Sequence, residues 1–395
     1  MHAPSTLGFR LSALHAASFT GIGVHLSFFP VWLQSRAMSP TTIGLVIAIP
    51  IVVRILAAAP LLALADRHGP RRLLIACHAA QAVLYPALFF IGSEVGIMAV
   101  VALIAVVQAP VMAGNDLATT NAIRDGAHLN YGRVRGWGSI AFLIASIAAG
   151  YLVDARGAQA ILWALALSPL LALATTMLAL PSGPPVARIP GVPEPAPGPR
   201  SVPRVLWLVM AAAATIQASH GAIYAFGSIH WRGIGFSDAA IGYLWAIGVV
   251  AEIAVFYCFG QMVGRARAAL GLIMLGGAAV VVRFAAMAFD PNLPLTFALQ
   301  ALHGLTFGAT HLGTMAALAA FAPAAARGRA QGLFSSASAF GQAAATLASG
   351  PIYRAEGAMV FAAMVPLGII GLGFAIWAAR AAKDAEAGSP ADGQA

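Results

Sequence analysis

The chain has 395 residues, of which 60% are hydrophobic and only 9% are charged, whereas a soluble domain carries about 25% charged residues. So few charges exclude a water-facing surface over most of the molecule, and most of that surface must face lipid. The formal net charge of +9 comes from 21 arginines and a single lysine, which stand singly or in short groups between apolar stretches and so indicate an anionic membrane surface, not a nucleic acid.

A helix needs about 20 mainly apolar residues to cross a bilayer, and the chain contains twelve such stretches. The first is too long for the core of a cleaved signal peptide, so we expect it to be retained. None of the stretches alternates apolar and polar residues as the strands of a β-barrel do. The sequence therefore predicts an all-α membrane protein with transmembrane helices at 10–34, 40–65, 72–92, 95–123, 134–154, 158–180, 204–231, 238–262, 268–289, 293–322, 329–352 and 357–380.

A proline-rich segment follows the sixth stretch. Residues 181–203 include nine prolines, which remove backbone donors and block helix, so an extended or disordered linker is expected. This linker divides the chain into an N-terminal six-helix bundle, 1–180, and a C-terminal six-helix bundle, 204–380. We interpret the two bundles as pseudo-repeats. The polar tail 381–395 is predicted to be disordered.

The basic residues are unevenly shared between the two ends of the predicted helices. With the N-terminus inside, 16 arginine and lysine residues lie on the inner side and 4 on the outer side, while Arg54 and Arg283 fall within spans. Because cytoplasmic loops are enriched in basic residues, this asymmetry places both termini and the linker in the cytoplasm. We expect a multi-pass protein of a bacterial-type inner (plasma) membrane, acting as a monomer.

The connection after the second stretch reads Asp66-Arg67-His68-Gly69-Pro70-Arg71-Arg72. It resembles the signature loop of the major facilitator superfamily, although Leu62 and Pro70 depart from that pattern. Asp66 lies at a helix end, where it can pair with arginines and with the positive end of a neighbouring helix, and Gly69 allows a tight turn. A plain positively charged inner loop is the alternative to a gate. The predicted gating residues are Asp66, Arg67, Gly69, Arg71, Arg72, Arg133 and Arg135.

Several longer segments resemble the 3-phenylpropionic acid transporter group within that superfamily. They are 131–139, 219–231, 242–245, 250–252 and 300–313, and the first of them is also similar to the more distant lactose permease. The resemblance spans nearly the whole chain. It implies the major facilitator fold of twelve helices and secondary active transport by alternating access, with proton symport in the case of the permease.

Ionisable residues inside a bilayer are functional candidates because each costs about 2.5–3.5 kcal/mol or more at a helix centre. Glu252 and Arg283 fall in neighbouring spans and should pair, since burying either charge alone costs much free energy. Protonation of Glu252 would then release Arg283 for a solute carboxylate, whereas a static pair is the alternative. Asp116 is expected to pair with Arg54 or with Arg135, in the first bundle or at the cytoplasmic gate. The predicted proton-coupling residues are Glu252, Arg283, His311 and Asp116.

Other polar and aromatic residues lie on helices that the resemblance places around a central cavity. Imidazole titrates near neutral pH and can bind a carboxylate or pass a proton, and aromatic side chains can stack on a ring, although packing alone would use the same residues. The predicted substrate-binding residues are His25, Asn115, His220, Tyr224, His303, Phe307 and His311.

These features favour a proton-coupled importer of a small organic anion, such as an aromatic carboxylate similar to 3-phenylpropionate. An efflux carrier for amphipathic compounds is the alternative on the same fold, and a membrane-embedded enzyme or sensor is a third. The sequence shows no nucleophile–base cluster, no metal-ligand spacing and no phosphate-binding Gly-x-x-x-x-Gly-Lys motif, so neither a metal nor ATP is expected. The proton gradient is the expected driving force, with no cofactor and with a solute and the lipid bilayer as partners.

Overall fold

A computed structural model of the chain describes residues 6–181, 202–260, 266–323 and 326–387, without the side chains of residues 66, 266 and 385–387. The described residues form helices and contain no strand, which confirms the predicted all-α class. The helices are α1 (Thr6–Ser35), α2 (Pro40–His68), α3 (Pro70–Ala87), α4 (Glu94–Gln108), α5 (Val111–Arg124), α6 (Tyr131–Arg156), α7 (Ala160–Ala179), α8 (Arg204–Ala218), α9 (His220–Gly233), α10 (Asp238–Phe259), α11 (Ala266–Met287), α12 (Leu293–Ala301), a π-helix (Gly304–Ala309), α13 (Thr310–Phe321), α14 (Arg327–Glu356), α15 (Met359–Ala362) and α16 (Val365–Ala387).

Nine segments of the described chain are long and apolar enough to cross a bilayer. A continuous helix meets the requirement of lipid because it satisfies its backbone polar groups within itself. The predicted stretches 72–92, 293–322 and 329–352 are also largely helical, as α3, as α12 to α13 and as α14, but they are not among the nine. The count of twelve spans therefore stays a prediction.

Local sequence signals explain where several helices begin. Ser39, Ser93, Asn130 and Asn292 each accept a hydrogen bond from the backbone N–H three residues later, which satisfies a donor that the first helical turn leaves open. The connection between α2 and α3 is a single residue, Gly69, whose φ of 79° is one that glycine adopts without strain. The tight turn predicted at Gly69 is thus confirmed.

Three predicted spans are interrupted. The stretch 95–123 divides into α4 and α5 next to Pro110, and 204–231 divides into α8 and α9 at Ser219. The stretch 293–322 passes from α12 through the π-helix Gly304–Ala309 into α13. Such irregular backbone frees polar groups and re-aims side chains, and π-helical turns are frequent at functional sites.

The described chain packs as two compact units. The first contains the described residues of 1–189 together with 223–246 and 346–354, and the second contains those of 190–222, 247–345 and 355–395. These units are groups of contacting residues and not sequence repeats, so the predicted division into 1–180 and 204–380 stays a prediction. Most of the predicted linker, residues 182–201, lies outside the described residues, and so does the tail from residue 388.

Each unit has its own apolar core. In the first, α1 packs against α6 and α7, and a further buried cluster includes Leu11, Leu14 and Leu74. In the second, α16 packs against α8 and α11, and α11 packs against α13. Small residues permit these contacts: a Cβ at Gly313 would lie 2.6 Å from the carbonyl oxygen of Ala269, so α13 and α11 approach closely there.

Candidate functional site

The second unit holds a buried arginine that is hydrogen-bonded to polar side chains. Arg283, on α11, is only 1% exposed. Its Nη1 donates to Oγ1 of Thr306 at 3.0 Å and lies 3.4 Å from Nδ1 of His303, while its Nη2 donates to Oε1 of Gln300. The guanidinium is donor-only and always charged, so these three lone-pair groups solvate a permanent positive charge away from water.

The three acceptors come from one irregular segment. Gln300, His303 and Thr306 are spaced three residues apart, which places them on one side of a helical chain. Thr306 lies in the π-helix, whose start is packed tightly: a Cβ at Gly304 would lie 2.6 Å from the carbonyl oxygen of Ala251. The segment is therefore held against α10 while its polar side faces Arg283.

The hydrogen bonds around Arg283 determine which atoms donate and which accept. Nδ1 of His220 is 3.1 Å from the carbonyl oxygen of Gln217, which only accepts, so Nδ1 carries a proton. Nε2 of His220 lies 3.0 Å from Oγ1 of Thr306 and is the nearest acceptor for that hydroxyl, because the carbonyl oxygen of His303 is 3.5 Å away. Nδ1 of His303 faces the donor Arg283 and therefore accepts. Both imidazoles fit the neutral form in this arrangement.

Aromatic rings continue from this polar cluster. His303 stacks on Phe307 with centroids 5.4 Å apart, and Phe307 stacks on His311 at 6.0 Å with rings only 2° from parallel. The edge of His220 faces His303 at 5.2 Å and Phe307 at 6.1 Å. His303, Phe307 and His311 thus form a stack of rings next to a guanidinium, in the offset stacking and edge contacts that aromatic pairs prefer.

Glu252 lies beside the same segment. Its Cγ is 3.4 Å from the position that a Cβ on Gly308 would take, so the carboxylate-bearing side chain of α10 borders the π-helix. The structure therefore brings Glu252, Arg283, His220, His303, Phe307 and His311 into one region of the second unit. The direct pairing of Glu252 with Arg283 stays a prediction.

Three predicted substrate-binding residues belong to the first unit. His25 stacks on Phe29 with centroids 4.4 Å apart. Asn115 is fully buried and its Nδ2 donates to Oγ of Ser18 at 2.9 Å. Tyr224 stacks near Trp245 with centroids 6.0 Å apart. Each of the three has a packing contact within this unit, and their role in binding stays a prediction.

Asp116 pairs with Arg135, one of the two alternatives that the sequence left open. Oδ1 of Asp116 lies 3.8 Å from Nε of Arg135 and accepts from the hydroxyl of Tyr131 at 2.9 Å. The guanidinium of Arg135 also lies 4.1 Å above the ring of Phe19, a cation–π contact. Both charged side chains are about one-third exposed. The role of Asp116, in proton coupling or in a cytoplasmic gate, stays a prediction.

The loop after α2 is only partly described. Nε of Arg71 donates to the carbonyl oxygen of Leu180 at 2.9 Å, which ties the start of α3 to the end of α7. The residues Arg67, Arg72 and Arg133 are exposed. The side chain of Asp66 lies outside the described residues, so its predicted pairing with these arginines is untested.

The first unit contains a tight contact between α6 and the start of α10. The carboxylate of Asp154 accepts from the backbone N–H groups of Asp238 and Ala239, each at 2.9 Å. Oδ2 of Asp238 lies 3.4 Å from Nε of Arg232. An anion at a helix N-terminus satisfies open donors and favours the helix dipole, so Asp154 holds α10 by its first turn.

Glycines make this contact possible. A Cβ at Gly150 would lie 3.0 Å from Cα of Ala239, and a Cβ at Gly242 would lie 2.6 Å from the carbonyl oxygen of Ser146. A second pair joins α2 and α14, where a Cβ at Gly44 would lie 3.1 Å from the carbonyl oxygen of Thr346 and one at Gly350 would lie 2.9 Å from Cα of Thr41. Within this unit, segments 238–246 and 346–354 therefore approach α6 and α2 at backbone distance.

Gln300, Thr306 and Asp154 are not among the site residues predicted from the sequence. The first two share the three-residue spacing of His303, so a polar face in an apolar span was a usable signal for them. Asp154 falls at the end of a predicted span, where an acidic residue is ordinary. Only the tertiary contact with α10 distinguishes it.

Comparison with known proteins agrees with this architecture. The MFS_1 like family matches residues 9–363. The "Probable 3-phenylpropionic acid transporter" of Escherichia coli (strain K12) is 31% identical over 317 residues, which make up 76% of this chain and 79% of that relative.

Solved structures are similar in fold at low sequence identity. The nucleoside transporter NupG superposes with a TM-score of 0.78 at 15% identity, covering 95% of this chain and 99% of that one. A bacterial homologue of the human lysosomal transporter Spinster, in an inward-facing and unoccupied conformation, superposes with a TM-score of 0.73 at 12% identity, covering 95% and 96%. At such identities the likeness extends to the fold alone.

Proposed function

The chain belongs to the MFS_1 like family, a group of transporters within the major facilitator superfamily, and we propose from this premise that it imports a small aromatic carboxylate together with protons. Its relatives are transporters and not enzymes, so its partners are a small-molecule solute and the membrane. The observation that carries the substrate class is Arg283, a buried guanidinium beside the stacked rings of His303, Phe307 and His311. The named relative, a probable 3-phenylpropionic acid transporter, supports the same class.

Carboxylate binding would exchange partners on Arg283. The guanidinium now donates to the neutral oxygens of Thr306 and Gln300. A solute carboxylate is a stronger acceptor for the planar donor fork, since charge-assisted hydrogen bonds are about twice as strong as neutral ones. A phenyl ring attached two or three carbons away would then reach the faces of His303 and Phe307.

Proton coupling is assigned to Glu252. Its side chain borders the π-helix that carries Thr306 and Phe307. An ionised carboxylate there stabilises the positive charge of Arg283, and protonation of Glu252 leaves that charge available to the anionic solute. Binding of the solute and of the proton would therefore be coupled, because each lowers the free energy needed to place the other in apolar surroundings.

Alternating access needs a gate at each end of the helices. We assign the outer gate to the Asp154 contact with α10 and to the two glycine pairs. The inner gate is assigned to Asp116 with Arg135 and to the arginine-rich loop after α2. The placement of that loop and of both termini in the cytoplasm follows the distribution of basic residues, as does residence in a bacterial-type inner membrane.

The test is uptake by the purified protein in lipid vesicles. With an acidic exterior imposed, labelled 3-phenylpropionate should accumulate inside, whereas its amide should not. Accumulation should collapse when a proton ionophore abolishes the gradient. Carboxylate flux that ignores the gradient would contradict proton coupling, and transport of the amide as fast as the acid would contradict Arg283 as a carboxylate site. Net outward flux against the proton gradient would favour an efflux carrier instead.

A further inference from the structure

A small cavity in the first unit has no part in the proposed function. It has a volume of about 30 Å³ and lies between α1, α3, α5, α7 and the end of α4. One water needs about 10–15 Å³ of such volume, so the cavity has room for about two. Its polar lining includes Ser18 of α1 and His78 and Gln81 of α3.

The polar groups at this cavity are buried but incompletely bonded. His78 is 2% exposed and Gln81 is 6% exposed. Neither ring nitrogen of His78 nor Nε2 of Gln81 has a hydrogen-bond partner among the described residues. Oγ of Ser18 accepts from Nδ2 of Asn115 at 2.9 Å, which leaves the hydroxyl proton of Ser18 for another acceptor. Buried polar groups in native proteins are almost always satisfied by protein or by ordered water.

The chemistry of the lining selects the ligand. The amide nitrogen of Gln81, the hydroxyl of Ser18 and one nitrogen of His78 are donors, while the other nitrogen of His78 is an acceptor. No carboxylate lines the cavity. Tyr85, Gln108 and Ser168 complete the polar lining, and all of these groups are uncharged when His78 is neutral. A cation would meet no countercharge there, whereas water both accepts from and donates to such groups. We propose that the cavity binds about two water molecules, which bridge His78 and Gln81 to Ser18 and so join α3 to α1.

The connected hydrogen bonds argue for a holding role and not for proton conduction. Thr119 donates from its hydroxyl to the carbonyl oxygen of Asn115 at 2.9 Å, and Nε2 of His15 lies 3.0 Å from the same hydroxyl oxygen. The series of hydrogen bonds from His15 thus ends on the backbone carbonyl of Asn115. Ser18 is connected to it only through the side-chain amide of Asn115. An amide does not readily relay a proton, so the bound water would fix helix positions.

Thermal unfolding of the purified full-length protein tests the proposal through the sign of the Tm change that one substitution causes. In a hydrated site, Gln81→Leu removes a partner of water and should lower Tm by roughly 1–3 °C. In a dry site the same change removes an unsatisfied buried amide and should raise Tm. Thr175→Val, on α7 but outside the lining of the cavity, serves as a control. An increased or unchanged Tm for Gln81→Leu would overturn the proposal.

Radiolytic hydroxyl labelling gives an independent measurement. Met112 lines the cavity, whereas Met210 packs against Ala213 and Phe334 in an apolar cluster of the second unit. Ala172→Val would fill part of the cavity and displace water, so it should reduce oxidation of Met112 severalfold and leave Met210 unchanged. Equal oxidation of Met112 with and without this change would contradict bound water. The residues assigned to carboxylate and proton binding belong to the second unit and none of them lines this cavity, so failure of the water site leaves the proposed function standing.

Discussion

At the scale of single residues, Thr306 takes part in two buried hydrogen bonds next to Arg283. Its hydroxyl oxygen accepts from Arg283 at 3.0 Å while its proton is directed to Nε2 of His220 at 3.0 Å. One hydroxyl thereby orients a buried charge and a buried imidazole. Because it is fully buried, water is a poor substitute for it.

Replacement of Thr306 by valine should therefore destabilise the protein. The change preserves shape but leaves a donor of Arg283 and an acceptor of His220 unsatisfied, at a cost of about 1–3 kcal/mol. The measurement is thermal unfolding in detergent together with uptake of 3-phenylpropionate. Thr306→Ser is the matched control and should retain most of the thermal stability and most of the uptake, since it keeps the hydroxyl. A valine variant as stable and active as the serine variant would refute this role.

Substitution of Arg283 separates anion binding from packing. Arg283→Ala should weaken binding of 3-phenylpropionate by about 10- to 100-fold, the worth of hydrogen bonds to a charged group, and should weaken binding of its amide much less. Equilibrium binding of both compounds to the purified protein is the measurement. Arg283→Lys, which keeps the charge without the planar fork, should fall between alanine and the native residue. Equal losses for acid and amide would identify a structural arginine.

Glu252→Gln should uncouple transport from the proton gradient. The amide has the shape of a protonated carboxyl group, so solute binding and exchange across the membrane should survive, while pH-driven accumulation should be abolished. Vesicle uptake with and without a pH gradient measures both. Glu356→Gln, at the exposed end of α14, is the control and should behave as the native protein does. Normal accumulation by Glu252→Gln would remove its coupling role.

The cost of burying charge explains which of these residues the sequence could predict. Arg283 and Glu252 stand out in any apolar span, and the histidines and Phe307 share their helices. Gln300 and Thr306 carry no such cost and are common in spans, so composition does not identify them. The pairing of Asp116 with Arg135, in preference to Arg54, depended on how α5 and α6 pack, which no local pattern encodes.

At the scale of helices, hydropathy predicted where helices lie but not where they break. Pro110 and the Ser219-His220-Gly221 sequence are local signals for the two breaks that they adjoin. The π-helix from Gly304 to Ala309 has no comparable signal in its sequence. It depends on close packing against α10, since a Cβ at Gly304 would contact the backbone of Ala251. Average hydrophobicity over a window is insensitive to such local geometry.

Asp154 provides a test at this scale. It accepts from the first two N–H groups of α10, so Asp154→Ala should cost about 1 kcal/mol, as the loss of a helix cap does. Asp154→Asn should cost less, because one oxygen remains as an acceptor while the favourable charge is lost. The measurement is Tm in detergent. Arg156→Gln, an exposed change in the last turn of α6, is the control, and an alanine variant as stable as that control would disprove the cap.

At the scale of the whole molecule, the units and the predicted halves divide the chain differently. Segments 223–246 and 346–354 come from the second half of the sequence but pack in the first unit. Alternating access requires contacts that form in one state and release in another. We propose this role for the close approaches at Gly150, Gly242, Gly44 and Gly350, because they involve bare backbone and few side chains that must rearrange.

A bulkier residue at Gly150 should therefore shift the protein toward the state in which this contact is open. A Cβ there would lie 3.0 Å from Cα of Ala239, whereas a Cβ at Gly136 on the same helix meets nothing within 4 Å. Gly150→Val should open the contact and Gly136→Val should not. In a background where the exposed Cys258 is replaced by serine, Ser228→Cys provides the reporter, because Ser228 is buried and its Oγ donates to the carbonyl oxygen of Ser27. A membrane-impermeant maleimide should label it severalfold faster with Gly150→Val than with Gly136→Val. Equal labelling would mean that α6 and α10 stay together throughout transport, and the outer gate would have to be sought elsewhere.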